Sequence, residues 1–116
     1  MQTIILLEDD DDIRELVEII LEGEHFRVVS FRNVAEFSAR DPDLNADLFL
    51  LDVRLPDGSG IDVCEELMSV NDTPVIIMSA HATLELINKS CDPSDFIEKP
   101  FDIDSLVSRI KAQIHR

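Results

Sequence analysis

The chain has 116 residues, 45% of them hydrophobic, and 25 Asp and Glu against 10 Lys and Arg leave a formal charge of -15. That apolar content excludes a disordered chain, and no apolar run nears the roughly 18 residues of a membrane span, so one domain with one buried core fits best. So acidic a surface repels nucleic acid and anionic membranes and suits cations or basic partners; a DNA-facing role is expected to need a further domain.

MQTIILLEDD has a short apolar stretch and no basic leader, and reads as a strand rather than a signal peptide. The runs TIILL (3–7), FRVVSF (26–31), DLFLL (47–51), PVIIMS (74–79) and DFIE (95–98) are predicted strands by length and β-branched content. The second and fifth are the least apolar and are expected at the sheet edges. Between the first two, Ile13, Leu16, Val17 and Ile20 recur at helical spacing, with Asp11 or Asp12 as N-cap and Gly23 as C-cap. Asn33 with Glu36 predicts a capping box for a short helix to about Arg40. Ile61, Cys64, Leu67 and Met68 line a third helix. HATLELINKSCDPSD (81–95) is the weakest helical stretch, short and closed by Pro93. Ile103, Leu106, Val107, Ile110 and Ile114 form the clearest stripe, with Asp102 as N-cap.

Strands alternating with helices predict an α/β fold, a doubly wound parallel sheet covered on both faces. Cys64 and Cys91 are far apart in sequence and fit no metal spacing; they read as buried thiols in a reducing cytoplasm.

In open parallel sheets ligands sit beyond the C-terminal strand ends. Here the first strand ends in Glu8, Asp9 and Asp10, the third in Asp52, the fourth in Ser79 and Ala80, and the fifth in Glu98, Lys99 and Pro100. If the first and third strands are neighbours, Glu8, Asp9 and Asp52 converge, and such carboxylates repel unless protons or a cation enter. Oxygen ligands and room for water favour Mg²⁺, held by few protein groups with positions open to phosphoryl oxygens. Lys99 could then pair with phosphoryl charge, Ser79 could donate a hydrogen bond, and Asp52 could attack phosphorus.

Each residue has a plainer reading. The run EDDDD (8–12) suits a helix N-terminus or a solvated face. Asp52 suits a turn before Leu55-Pro56, Lys99 a solvated lysine, Ser79 a strand-end hydroxyl and His81 a loop. Gly58 and Gly60 suit the turn into the third helix. Shared placement at strand ends is what favours a site.

In one order along the chain, LLEDDDDIREL (6–16), LLDVRLPDGSG (50–60), PVIIMSA (74–80) and DFIEKPF (95–101) resemble the receiver domain of bacterial two-component response regulators. The resemblance covers essentially all of residues 1–116. It implies a flavodoxin-like strand order, 2-1-3-4-5. It implies that Asp52 accepts a phosphoryl group from a phosphohistidine on a sensor kinase or histidine phosphotransfer protein. Mg²⁺, or Mn²⁺ in its place, would be held by Asp9 and Asp52, by Glu8 largely through water, and by the Arg54 backbone carbonyl. Ser79 and Lys99 would contact the phosphoryl group, Lys99-Pro100 would be a cis peptide, and Phe96 with Ser79 would form the switch. Such a domain promotes its own phosphorylation and dephosphorylation without being a turnover enzyme, works in the cytoplasm, and here would contact neither nucleic acid nor membrane.

The chain departs from the family between Ser79 and Lys99, where it is shorter and SCDPSDF (90–96) replaces an Ala/Gly-rich turn. The fourth helix is therefore expected to be short or distorted. Arg54 and His81 flank the acceptor, and Arg54 is expected to lengthen the phosphoryl lifetime. Two other readings stand beside this one. One is a degenerate receiver acting as a phosphorylation-independent interaction module. The other is a phosphatase of the haloacid dehalogenase type, whose Asp-x-Asp-x-Thr/Val pattern is not met, since Asp10-x-Asp12 is followed by Arg14.

Overall fold

The computed structural model describes residues 1–80 and 93–114. In chain order these form β1 (Thr3–Leu7), α1 (Asp11–Gly23), β2 (Arg27–Phe31), α2 (Val34–Ser38), β3 (Leu48–Asp52), β4 (Arg54–Leu55), β5 (Gly58–Ser59), α3 (Gly60–Val70), β6 (Val75–Ser79), β7 (Asp95–Glu98) and α4 (Ile103–Ile114). The helical stretch expected after β6, with His81 and Cys91, lies outside the described residues at 81–92.

Burial sorts the strands. Every position of β1, β3 and β6 is buried, as strands covered on both faces require. β2 and β7 are only partly buried and close the edges, as expected. The parallel order is β2-β1-β3-β6-β7, which is the expected 2-1-3-4-5 once the separate hairpin of β4 and β5 is set aside. The pleat divides the core in two. Ile5, Leu7, Phe49, Leu51 and Ile77 face Phe37 of α2 and Val63 and Leu67 of α3. Ile4, Leu6, Leu50, Ile76 and Met78 face Val17 and Leu21 of α1 and Leu106 and Ile110 of α4.

The ends of elements moved more than their middles. Asp10, not Asp11 or Asp12, caps α1, because its backbone is extended and its carboxylate accepts from the Asp12 and Ile13 amides at 2.9 and 3.0 Å. Asp102 caps α4 as expected, accepting from the Ser105 amide at 2.7 Å. α2 stops at Ser38, short of Arg40, whose guanidinium lies 4.0 Å over the Phe37 ring. Cys64 is one half of a disulfide rather than the free thiol expected; sequence separation does not measure distance in a crossover fold.

Gly23 stays helical and Glu24 is the C-cap of α1. The left-handed residue is His25, with φ 69°. Its amide donates to the Glu22 carbonyl at 3.0 Å, and the Phe26 amide to Leu21 at 3.1 Å, the Schellman arrangement that turns Phe26 into the core. A side chain in that conformation costs about 1–2 kcal/mol. Glycine loses more entropy on folding, so His25→Gly is expected to gain about 0.5–1 kcal/mol, read as a higher urea midpoint.

Candidate functional site

Sheet order gathers what chain order separates. β1 and β3 are neighbours, so Glu8 and Asp9 leave the sheet beside Asp52, the last residue of β3. β6 lies on the other side of β3 and brings Ser79; β7 follows and brings Lys99. Carboxylate oxygens of Glu8, Asp9 and Asp52 lie within 4.8 Å of one another. They line a cavity of about 360 Å³ together with Arg54, Ser79 and Lys99.

Burial grades the acids. Glu8 is 0% exposed and Asp52 7%, whereas Asp9 faces solvent. The Lys99 ammonium lies 2.6 Å from Glu8 Oε1 and 3.3 Å from Asp52 Oδ2. The Lys99 amide donates to the Ser79 carbonyl at 2.6 Å, and the Lys99-Pro100 peptide is cis. Glu8 also accepts from the Asp10 amide at 3.1 Å.

Loss of hydration is the largest influence on Glu8 and, with the charge of Asp52, raises its carboxyl to about 7 despite the Lys99 and Asp10 hydrogen bonds. Burial alone would lower Lys99, but its hydrogen bond to Glu8 and the charges of Glu8 and Asp52 hold the ammonium above its ordinary value. A dense negative cluster with one ammonium inside it still favours a cation. All its donors are hard oxygens, so the residues fit Mg²⁺.

The model of the response regulator receiver domain family matches residues 4–111. The chain belongs to that family. Receiver domains of solved structure resemble it along nearly its whole length. The non-phosphorylated HemR receiver domain of Leptospira biflexa is 29% identical with a TM-score of 0.86, covering 100% of this chain and 96% of that one. The response regulator TrrA of Thermotoga maritima, in complex with Mg²⁺-BeF, is 27% identical with a TM-score of 0.85, covering 97% and 99%. Among curated relatives, the DNA-binding response regulator MtrA of Mycolicibacterium smegmatis is 31% identical over 99% of this chain and 51% of its own length. This receiver domain thus spans about half the length of the curated relatives it matches.

The fold brings together most of the residues picked from the receiver's sequence. Glu8, Asp9, Asp52, Ser79 and Lys99 line one cavity, and exposed Arg54 stands at its rim. Phe96 does not line it; half-buried on β7, it packs on the α2 and α3 side of the core.

Other contributors carried little signal. Arg14 donates to the Glu8 carbonyl at 3.0 Å and pairs with Asp11, tying α1 to the end of β1. Gly60, read as part of the turn into the third helix, opens α3 and also presses on the end of β3: a Cβ there would sit 1.9 Å from the Asp52 carbonyl oxygen. Its offset from Asp52 in the family's motif was the only hint. Among the described residues, no helix is long and apolar enough to cross a membrane.

Proposed function

We propose that residues 1–116 form one phosphoacceptor domain and that Asp52 takes a phosphoryl group from a phosphohistidine. What supports this most directly is the Asp52 carboxylate at a strand end, in a cavity that also holds the Lys99 ammonium at 3.3 Å and two further acids. An Asp52 oxygen attacks phosphorus, the P–N bond breaks, and its electron pair leaves on the imidazole nitrogen. The product is an aspartyl phosphate. Asp9, Asp52 and the Arg54 carbonyl would hold Mg²⁺ directly, with Glu8 acting through water. When bound, the ion offsets charge on the phosphoryl oxygens. Lys99 pairs with one of those oxygens, and the Ser79 hydroxyl donates to another.

Phosphorylation then acts as a switch through Ser79 and Phe96. Phe96 carries no hydroxyl, so its inward and outward states differ mainly in apolar burial, worth roughly 1.5–3 kcal/mol. Hydrolysis returns the free carboxylate, and Arg54 slows it by restricting water. A faster loss of phosphate from Arg54→Ala is the corresponding result. The phosphoryl donor is a histidine kinase or histidine phosphotransfer protein in the cytoplasm. The relative MtrA is named a DNA-binding response regulator. An output of that kind would lie in a further domain, since a charge of -15 repels nucleic acid.

The test is intact mass after incubation with acetyl phosphate, with and without Mg²⁺, for the wild type and Asp52→Asn. A gain of one phosphoryl group that needs both Mg²⁺ and Asp52 is expected. No gain under any condition would sink the switch and leave a phosphorylation-independent interaction module.

A further inference from the structure

α2 has only five residues, too few to hold itself in water. Its first amides need acceptors. Asn33 takes one, from Glu36, at 2.8 Å. The Val34 and Ala35 amides go elsewhere, to the two oxygens of Asp57 at 2.8 and 3.0 Å. Asp57 lies 23 residues on from Val34, in the turn between β4 and β5, in the loop that follows Asp52.

The hairpin is thus held at both ends. At its base the Val53 amide donates to the Met78 carbonyl at 3.2 Å and the Gly60 amide to Val53 at 2.9 Å. At its tip the Asp57 carboxylate grips α2, and Gly58 lies so close that a Cβ there would sit 3.0 Å from Val34 Cγ2. Between tip and base runs Arg54, paired with Ser59 across the hairpin. Its carbonyl is one of the ligands assigned to Mg²⁺ above.

We propose that Asp57 is a positioning residue for the metal site: by clamping the hairpin tip to the α2 amides, it sets where the Arg54 carbonyl stands. The role rests on the Mg²⁺ reading of the cavity. A carbonyl on an unclamped hairpin must be ordered when the ion binds, which weakens binding; a group bonded directly to a metal ligand is worth about 10–100-fold in affinity, and a clamp one step further out belongs at the low end of that range.

Isothermal titration with Mg²⁺ on the whole chain tests it. Asp57→Ala is expected to bind about tenfold more weakly, and Asp57→Asn, which keeps one acceptor oxygen, to fall between. Asn33→Ala removes only the cap bond from the Glu36 amide, leaves the Val34 and Ala35 amides on Asp57, and is expected to keep wild-type affinity. Without metal, amide exchange at Val34, Ala35 and Arg54–Ser59 is expected to quicken in Asp57→Ala. Wild-type affinity in Asp57→Ala, or equal weakening in Asn33→Ala, overturns the role alone. A wild type that binds no Mg²⁺ overturns the metal reading with it.

Discussion

Gly60→Ala is expected to cost the fold about 3 kcal/mol or more. The added Cβ would lie 1.9 Å from the Asp52 carbonyl oxygen, 2.8 Å from its carbon and 3.3 Å from Val53 Cα. All three are backbone atoms at the end of a buried strand, so no side chain can swing away. Either α3 lifts and loses the 2.9 Å bond from the Gly60 amide to the Val53 carbonyl, or the end of β3 moves. The second route carries Asp52 with it, so variant protein that still folds should bind Mg²⁺ poorly. Gly58→Ala is the control. Its Cβ would meet a Val34 methyl at 3.0 Å, and a rotamer change can relieve that for about 1 kcal/mol or less. Urea unfolding of both variants decides it. A Gly60→Ala protein within about 1 kcal/mol of wild type would show that β3 and α3 do not touch so closely.

The metal-free protein is expected to lose stability as pH rises from 4.5 to about 7. Glu8 takes up its proton near 7 when folded, against 4.5 as an ordinary glutamate. The folded state therefore binds more protons in that window, and folding is favoured at its acid end. Burial is the main cause, with the charge of Asp52 adding to it. Lys99 contributes in the same direction but elsewhere: its raised value affects stability only above 10.5. Mg²⁺ should flatten the slope, because the ion favours the ionised cluster. Glu8→Gln, neutral at every pH, should lack the step. It should be about 1–2 kcal/mol more stable than wild type at pH 8 without metal, yet bind Mg²⁺ at least about tenfold more weakly. Urea midpoints at pH 5, 6, 7 and 8, with and without Mg²⁺, measure all of this. Identical pH slopes in wild type and Glu8→Gln would remove Glu8 as the titrating group.

Both results depend on contacts that local patterns do not encode. Residue types alone marked the strands, because TIILL and LFLL can be satisfied only in a sheet buried on both faces. They also marked helices by the spacing of Val17 and Leu106 with their neighbours, and they placed acids, a hydroxyl and an ammonium at the strand ends. Four motifs in order then carried the family and its strand order. Short-range signals were less sure at element ends. Asp10 rather than its neighbours caps α1, and His25 rather than Gly23 turns left-handed, because the entry of Phe26 into the core sets where that turn falls.

Hydrophobic period and capping chemistry are local, acting within a turn or a strand, so the sequence by itself determined the elements, the chemical groups at their ends and the family. Only the tertiary structure decided which groups meet. Lys99 pairs with Glu8 across 91 residues, Asp57 clamps α2 across 23, and Gly60 presses on the Asp52 backbone. Those meetings follow from how the crossovers stack β1, β3, β6 and β7, a packing that no single segment specifies.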